Sequence, residues 1–392
     1  MKSFKQFITL KEGGNLSFTN EKGEKVFASA IPLEKREELK PHVQTIVNGV
    51  RQAIGEKPVP SEHFHKLMVG SSEHFHNSSI PDSKFKEVGK TRFGDQDVLL
   101  PNSPDHIEKA QAHLQPGTKH GEWTLLHAKH DGKKGAFTLW NHPEHGVMQV
   151  DFNYDHHKTQ DGHNLPTESA RFSKSSPAED LFGETSLKGM AHKYAIASMT
   201  YALGKPVSIQ MKTKRVPGVD YYPFAVSALG GGGIRKKTEP VLDKDNKPKV
   251  DPESGHHIHV ELPSKGAKRI QEPKEIADTL IKSAGKTPHP SDADDLHSMH
   301  GVHRILKRHF QDDSNVHKRY VEAMADRLYG SKAQPVSRHD LAGGKENDHA
   351  VKKATMDTVL KSFPEHNTPE LQKKLKEMKS AYNERIAKRK PS

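Results

Sequence analysis

The chain contains no cysteine. That absence excludes disulfides, thiolate-bound zinc and a cysteine nucleophile. No stretch approaches the ~20 apolar residues a bilayer-crossing helix needs, so no segment reads as membrane-spanning. Apolar residues are scarce throughout: they fill 32% of the 392 positions, against roughly 45–50% in an average domain when glycine is counted. The length allows two or three domains with a core of some size, joined by long polar connectors or tails. Acidic residues are in deficit, 50 against 61 Lys and Arg, for a net charge of +11. A basic balance favours contact with DNA, RNA or nucleotides, although here the charge is dispersed rather than gathered in blocks. The 28 histidines are scattered, which points to solvated surface more than to one large metal centre. No internal repeat is visible.

Periodicity sets out a coarse architecture. A hairpin is expected over 16–30 with a polar turn at 20–23, then a helix over 32–54 carrying Leu39, Val43, Ile46, Val47 and Val50 on one face. A brief strand over 66–69 leads into Gly70-Ser71. Further strands are expected at 123–129, 136–140 and 147–154, the first two joined by a glycine-containing hairpin loop. Residues 155–178 read as a loop and 186–203 as a helix. Strands return at 207–213 and 224–229, and a second hairpin pairs 239–242 with 257–262. From Pro273 the pattern is helical, with segments at 275–283, 296–311 and 316–329, a linker over 331–347, and a last helix opening at Thr368-Pro369-Glu370. The layout is α+β with an all-helical C-terminal part: residues 13–270 as one α/β domain, 271–330 helical, and 331–392 linker and helical tail.

Three features carry chemistry. Gly70-Ser71 follows the apolar Leu67-Met68-Val69; Asp95-Gln96-Asp97 opens the apolar run Val98-Leu99-Leu100; and Asp151 lies inside the strand-like Val147-Met148-Gln149-Val150-Asp151-Phe152. Alternation on a strand points Asp95 and Asp97 to one side, where two like charges repel unless a cation lies between them. A carboxylate between apolar strand neighbours is costly unless paired or ligating. Three converging carboxylates suit magnesium or manganese and can hold two ions that clamp the attacking and leaving oxygens of a phosphoryl displacement. Gly70 lets backbone approach a phosphate, and Ser71 offers a hydroxyl and an N–H to its oxygens.

This order of motifs resembles the nucleotidyltransferase superfamily typified by DNA polymerase β and the CCA-adding enzymes, in the form carried by large tailed phages. The resemblance covers about 66–237 and implies a mixed β-sheet with flanking helices. It implies that Gly70 and Ser71 grip the triphosphate, that Asp95 and Asp97 bind both metals, and that Asp151 binds the catalytic ion and helps activate the incoming hydroxyl. Lys193 and Arg235 are candidate phosphate contacts. One departure is the long spacing between Gly70-Ser71 and Asp95, which requires an insertion containing Pro81 and Gly89 to loop out.

The opening Met1-Lys2-Ser3-Phe4-Lys5-Gln6-Phe7-Ile8, with Leu10-Lys11-Glu12 before Gly13, resembles the capsid-targeting leader of internal head proteins in T-even-like phages, cut after the glutamate. It implies a virion location inside the capsid, with phage DNA, and the host cytoplasm after infection. Two function classes follow. The first is an enzyme moving a nucleoside monophosphate from an NTP such as ATP to a nucleic-acid or protein acceptor, with magnesium or manganese. The second is a non-catalytic, DNA-associated internal virion protein on a nucleotidyltransferase-derived fold. Other motifs read blandly. The histidine clusters at 63–65, 74–76 and 256–259 lack partners at metal-binding spacing and read as surface. The glycine run at 230–233 lacks the Lys-Ser/Thr ending of a P-loop. The basic stretches at 301–309 and 373–390 read as solvated faces, with nucleic-acid phosphate contact as the alternative.

Overall fold

The computed structural model describes residues 17–20, 23–87, 91–132, 134–155, 191–210, 215–221, 224–226, 233–263, 269–333 and 345–388. The leader at 1–12, nearly all of the 155–178 loop, the start of the helix expected at 186 and glycines 230–232 lie outside them. The chain forms two units, one from Met1–Arg171 with Pro335–Val351 and one from Phe172–Gln334 with Lys352–Ser392. Of the stretch 13–270, expected to be a single α/β domain, residues to Arg171 thus belong to the first unit and the rest to the second.

The first unit opens with the anticipated hairpin, β1 (Ser17–Thr19) against β2 (Lys25–Phe27), followed by β3 (Ile31–Pro32). Helix α1 (Arg36–Ala53) buries Leu39, Val43, Ile46, Val47 and Val50, the stripe its 3.6-residue period requires. After a helical turn at Ser61–Phe64 come two short helices, α2 (Ser71–His76) and α3 (Asp82–Glu87), then β4 (Arg92–Phe93), β5 (Gln96–Pro101) and α4 (Pro104–His113). Helix α4 starts where Ser103 accepts a hydrogen bond from the His106 N–H and Pro104 fills the first turn, a conventional N-terminus. Strands β6 (Lys119–His120), β7 (Trp123–His130), β8 (Gly135–His142) and β9 (Gly146–Asp155) complete a five-stranded sheet of order β5-β9-β8-β7-β6. All its pairings are antiparallel except β5 with β9.

Two expectations are corrected here. Residues 66–69 are not a strand: a 3-10 turn (His65–Leu67) leads to a single antiparallel bridge, Met68 with Val98. The Val69 N–H donates to the Asp97 carbonyl at 3.1 Å, so this short segment covers the otherwise open edge of β5. The described residues of the insertion before Asp95 do not loop out either. They fold as α2 and α3 around Arg36, whose side chain is 2% exposed. The Arg36 guanidinium donates to the carbonyls of His74, Phe75, Asn77 and Ile80 and to Asp82 Oδ1 at 2.6–3.0 Å. Phe75, Phe85 and Phe93 stack edge-on beneath it. Five charge-assisted hydrogen bonds organise a stretch with too few apolar residues to show a period.

The second unit begins, in the described residues, with α5 (Ala191–Ala202). Strands β10 (Lys205–Gln210), β11 (Arg215–Tyr221), β12 (Phe224–Val226), β13 (Ile234–Lys236), β14 (Thr238–Pro240), β15 (Ile258–Glu261) and β16 (Arg269–Ile270) form two small sheets, ordered β11-β10-β15-β14 and β12-β13-β16. The expected hairpin is present as β14 with β15. Helices α6 (Pro273–Ser283), α7 (Met299–Phe310) and α8 (Ser314–Tyr329) follow, then α9 (Lys345–Ser362), of which Lys352 onward belongs to this unit, and α10 (Pro369–Ala387). Thr368 caps α10 by accepting from the Leu371 N–H, as its sequence signature implied. Helix α9 was not anticipated. Its inner side carries buried Lys352, Thr355 and Thr358 among apolar residues, which blurs the hydrophobic stripe. Lys352 is accommodated by its ammonium lying 3.6 Å from the centroid of the Tyr382 ring. The architecture is therefore mixed α+β with C-terminal helices, and no helix among the described residues is long and apolar enough to cross a membrane.

Candidate functional site

The parallel ladder of β5 and β9 sets Asp97 opposite Asp151. Paired residues on adjacent strands point to the same face, and Asp95, two positions before Asp97, joins them there. One carboxylate oxygen from each of the three lies within 4.8 Å of the others. Asp95 and Asp97 are half-buried, whereas Asp151 is 4% exposed. Alternate residues of β9 support the cluster from the same face. Gln149 Nε2 donates to both oxygens of Asp151 at 2.9 Å, and Asn153 Nδ2 donates to Asp97 Oδ1 at 3.2 Å. Gln96, between the two aspartates, points the other way. It is fully buried, and its Oε1 accepts from His76 Nε2 at 3.1 Å.

Gly70 has φ +61 and ψ −138, a conformation open to glycine alone. A Cβ built there would stand 3.8 Å from Asp97 Oδ2, so the glycine turn borders the carboxylates. Ser71 opens α2 and is half-buried. The serine tied to the site is its neighbour Ser72, which is 1% exposed. Its hydroxyl accepts from the Asp97 N–H at 2.9 Å and donates to the Asp95 carbonyl at 3.1 Å, fastening the backbone on both sides of Gln96. Ser72, Gln149 and Asn153 were missed in the sequence. Period-2 spacing from Asp151 marks Gln149 and Asn153 as sharing its face, but nothing local marks Ser72, whose partners lie 23 and 25 residues away.

Burial, and then the neighbouring charges of Asp97 and Asp95, push the Asp151 carboxyl up to about 8. A divalent cation reverses that effect, because its charge favours all three anions together. The donor set is made of carboxylate oxygens, the hard ligands that magnesium and manganese prefer, so the residues present fit those ions.

The same register extends across the sheet. Asp151 pairs with Phe137 on β8, and Phe137 pairs with Lys129 on β7. The row Asp97, Asp151, Phe137, Lys129 therefore lies on one face. Phe137 is 37% exposed, one of few large apolar side chains so open among the described residues, and Lys129 is exposed as well. The two basic candidates from the sequence belong to the other unit: Lys193 is half-buried on α5, and Arg235 sits on β13 between Ala225 and Arg269.

The histidines depart from expectation. His74, His76, His142, His303, His317 and His366 are buried rather than solvated. Burial holds His76 and His303 at about 3, and therefore neutral. His303 is fully engaged, with Nδ1 2.8 Å from Ser362 Oγ and Nε2 3.0 Å from Tyr320 Oη. His76, His142, His303 and His317 serve as polar core members because each meets a partner that sequence spacing does not reveal. Comparison of the chain with protein-family models, with curated proteins and with solved structures found no match.

Proposed function

We propose that the first unit is a metal-dependent nucleotidyltransferase that moves a nucleoside monophosphate from an NTP to an acceptor hydroxyl. The observation that carries this reading is the meeting of Asp95, Asp97 and Asp151 within 4.8 Å, beside a glycine turn that only glycine can make. Asp95, Asp97 and Asp151 would hold the magnesium or manganese, which supplies positive charge to the phosphate oxygens and lowers the pKa of the attacking hydroxyl. In the transfer, the acceptor oxygen bonds to the α-phosphorus while the bond to the bridging oxygen breaks. Pyrophosphate leaves, and the hydroxyl proton passes by way of the Asp151 carboxylate to solvent. Gln149 orients that carboxylate through its two hydrogen bonds. The exposed ring of Phe137 offers a stacking surface for the base, and Lys129 offers a cation for the phosphates.

The test is incorporation of label from radiolabelled NTPs into RNA or protein acceptors with magnesium or manganese. The parent should incorporate label, and Asp95→Ala and Asp97→Ala should not. Incorporation that persists in both variants overturns the site. A silent parent favours a non-catalytic, DNA-associated role for the same fold.

A further inference from the structure

A second group of metal-ligand side chains lies in the second unit. His317 stands in the first turn of α8, and Glu365 and His366 form the single 3-10 turn (Pro364–His366) that follows α9. One ligand atom from each lies within 4.8 Å of the others. Both histidines are buried and Glu365 is half-exposed.

The hydrogen bonding decides which ring atoms are available. His317 Nε2 lies 3.4 Å from the Leu306 carbonyl, and a carbonyl only accepts, so Nε2 keeps its proton. A neutral ring then presents its Nδ1 lone pair, and Nδ1 is 3.5 Å from Glu365 Oε1. An imidazole N–H held by a backbone carbonyl, with the other nitrogen free, is how metal-binding histidines are usually oriented. His366 Nε2 is buried without a hydrogen-bond partner and also lies 3.5 Å from Glu365 Oε1.

The two 3.5 Å separations are long for N–H···O hydrogen bonds, which centre near 2.9–3.0 Å. They are close to the edge of a tetrahedral zinc polyhedron, about 3.3 Å for ligands at ~2.0–2.1 Å. Left as it is, the His366 nitrogen is an unmade buried interaction. Phe363 packs on His317 at 4.8 Å between ring centroids and closes one side, while the Glu365 side chain is half-exposed.

The contrast with His42, His142 and His145 is instructive, because their ligand atoms also lie within 4.8 Å. There two of the three rings are committed through Nδ1, whereas His145 Nδ1 has no hydrogen-bond partner and lies 3.2 Å from Glu38 Oε1. His42 Nδ1 accepts from Trp123 Nε1 at 3.1 Å, and His142 Nδ1 accepts from the Glu144 N–H at 3.1 Å, with its Nε2 against Glu122. A ring that accepts at Nδ1 carries its proton on Nε2, so His42 and His142 offer N–H groups where an ion needs lone pairs.

We propose that His317 Nδ1, Glu365 Oε1 and His366 Nε2 form a zinc site with a fourth position open to water or a small ligand. Imidazole and carboxylate together suit zinc, while magnesium prefers an all-oxygen set; the two candidate centres of this chain therefore differ in ion. The test uses the full chain, stripped of metal and titrated with zinc against a colorimetric chelator in excess magnesium. The parent should take up one tight equivalent. His366→Gln and Glu365→Gln should each weaken it by at least the ~10–100-fold that even a supporting residue is worth at such sites. His42→Gln should leave it unchanged. Glu365 is half-exposed, so its replacement tests the site without disturbing the core. A parent with no tight equivalent, or a Glu365→Gln chain that binds zinc as tightly as the parent, overturns the proposal.

Discussion

Asp97 and Asp151 occupy the same rung of the parallel ladder between β5 and β9. Adjacent strands lie only ~4.8 Å apart, so neither carboxylate can withdraw from the other without breaking the sheet. The repulsion is built into the backbone, and Asp95 adds to it from the same face.

Manganese affinity should therefore depend on pH. Because Asp151 is held up to about 8, an ion must displace its proton. Affinity should rise by up to ~10-fold per pH unit below that value and level off above it. Calorimetric or paramagnetic titration between pH 6 and 9 checks this, and Asp151→Asn should flatten the profile as well as weaken binding.

Stability without divalent ions should move the opposite way. Between the ordinary value of 3.8 and about 8, the folded chain keeps a proton on Asp151 that the unfolded chain has lost. The unfolded state binds fewer protons, so stability falls as pH rises through that window, by at most about 1.4 kcal/mol per unit from this group. Denaturant melts of the parent and of Asp151→Asn, compared at pH 6 and 8, should show the parent losing more. Added magnesium should shrink the difference.

Ser72→Ala should cost about 1–3 kcal/mol, the penalty for stranding buried polar groups, because the Asp97 N–H and the Asp95 carbonyl both lose a partner. Ser71→Ala should cost far less. If the nucleotidyltransferase reading holds, Ser72→Ala should also lower kcat through misplacement of the aspartates, without changing the zinc uptake of the second unit.

Phe137→Ala should raise KM for the NTP with little change in kcat. A base stacked on an aromatic ring is worth about 1–3 kcal/mol, which corresponds to a rise of roughly 5- to 150-fold. Steady-state kinetics with several NTPs checks it, and an unchanged KM for all of them removes Phe137 from the site.

Much of this arrangement was legible in the amino-acid order, and its limits are physical. The aspartates were found because strand alternation acts over two residues and an acid among apolar neighbours stands out. Helix α1 and the strands β7 to β9 were found for the same reason: their periods are set by local geometry. What escaped notice depends on partners distant in the chain. Arg36 organises a segment 38 to 46 residues away, so a stretch with no period of its own acquires two helices. Ser72 reaches the aspartate backbone across 23 and 25 positions. The inner side of α9 hides a lysine over a tyrosine ring, which a hydrophobicity pattern counts against a helix. The buried histidines were misjudged because composition records how many there are, not what each one meets.

The position of β9 between β8 and β5 has a kinetic corollary. Strands β7, β8 and β9 follow one another as antiparallel neighbours and can zip together through nearby contacts. Joining β5 requires closing a much longer loop, as the Asn153–Asp97 contact across 56 positions shows. Non-local pairing of this kind comes late, since the entropy of closure must be met before the contact rewards it. The carboxylate pocket is thus completed at the moment two separately formed pieces dock. Any cation that settles there acts as a latch on that last step, slowing its reversal more than it speeds its arrival.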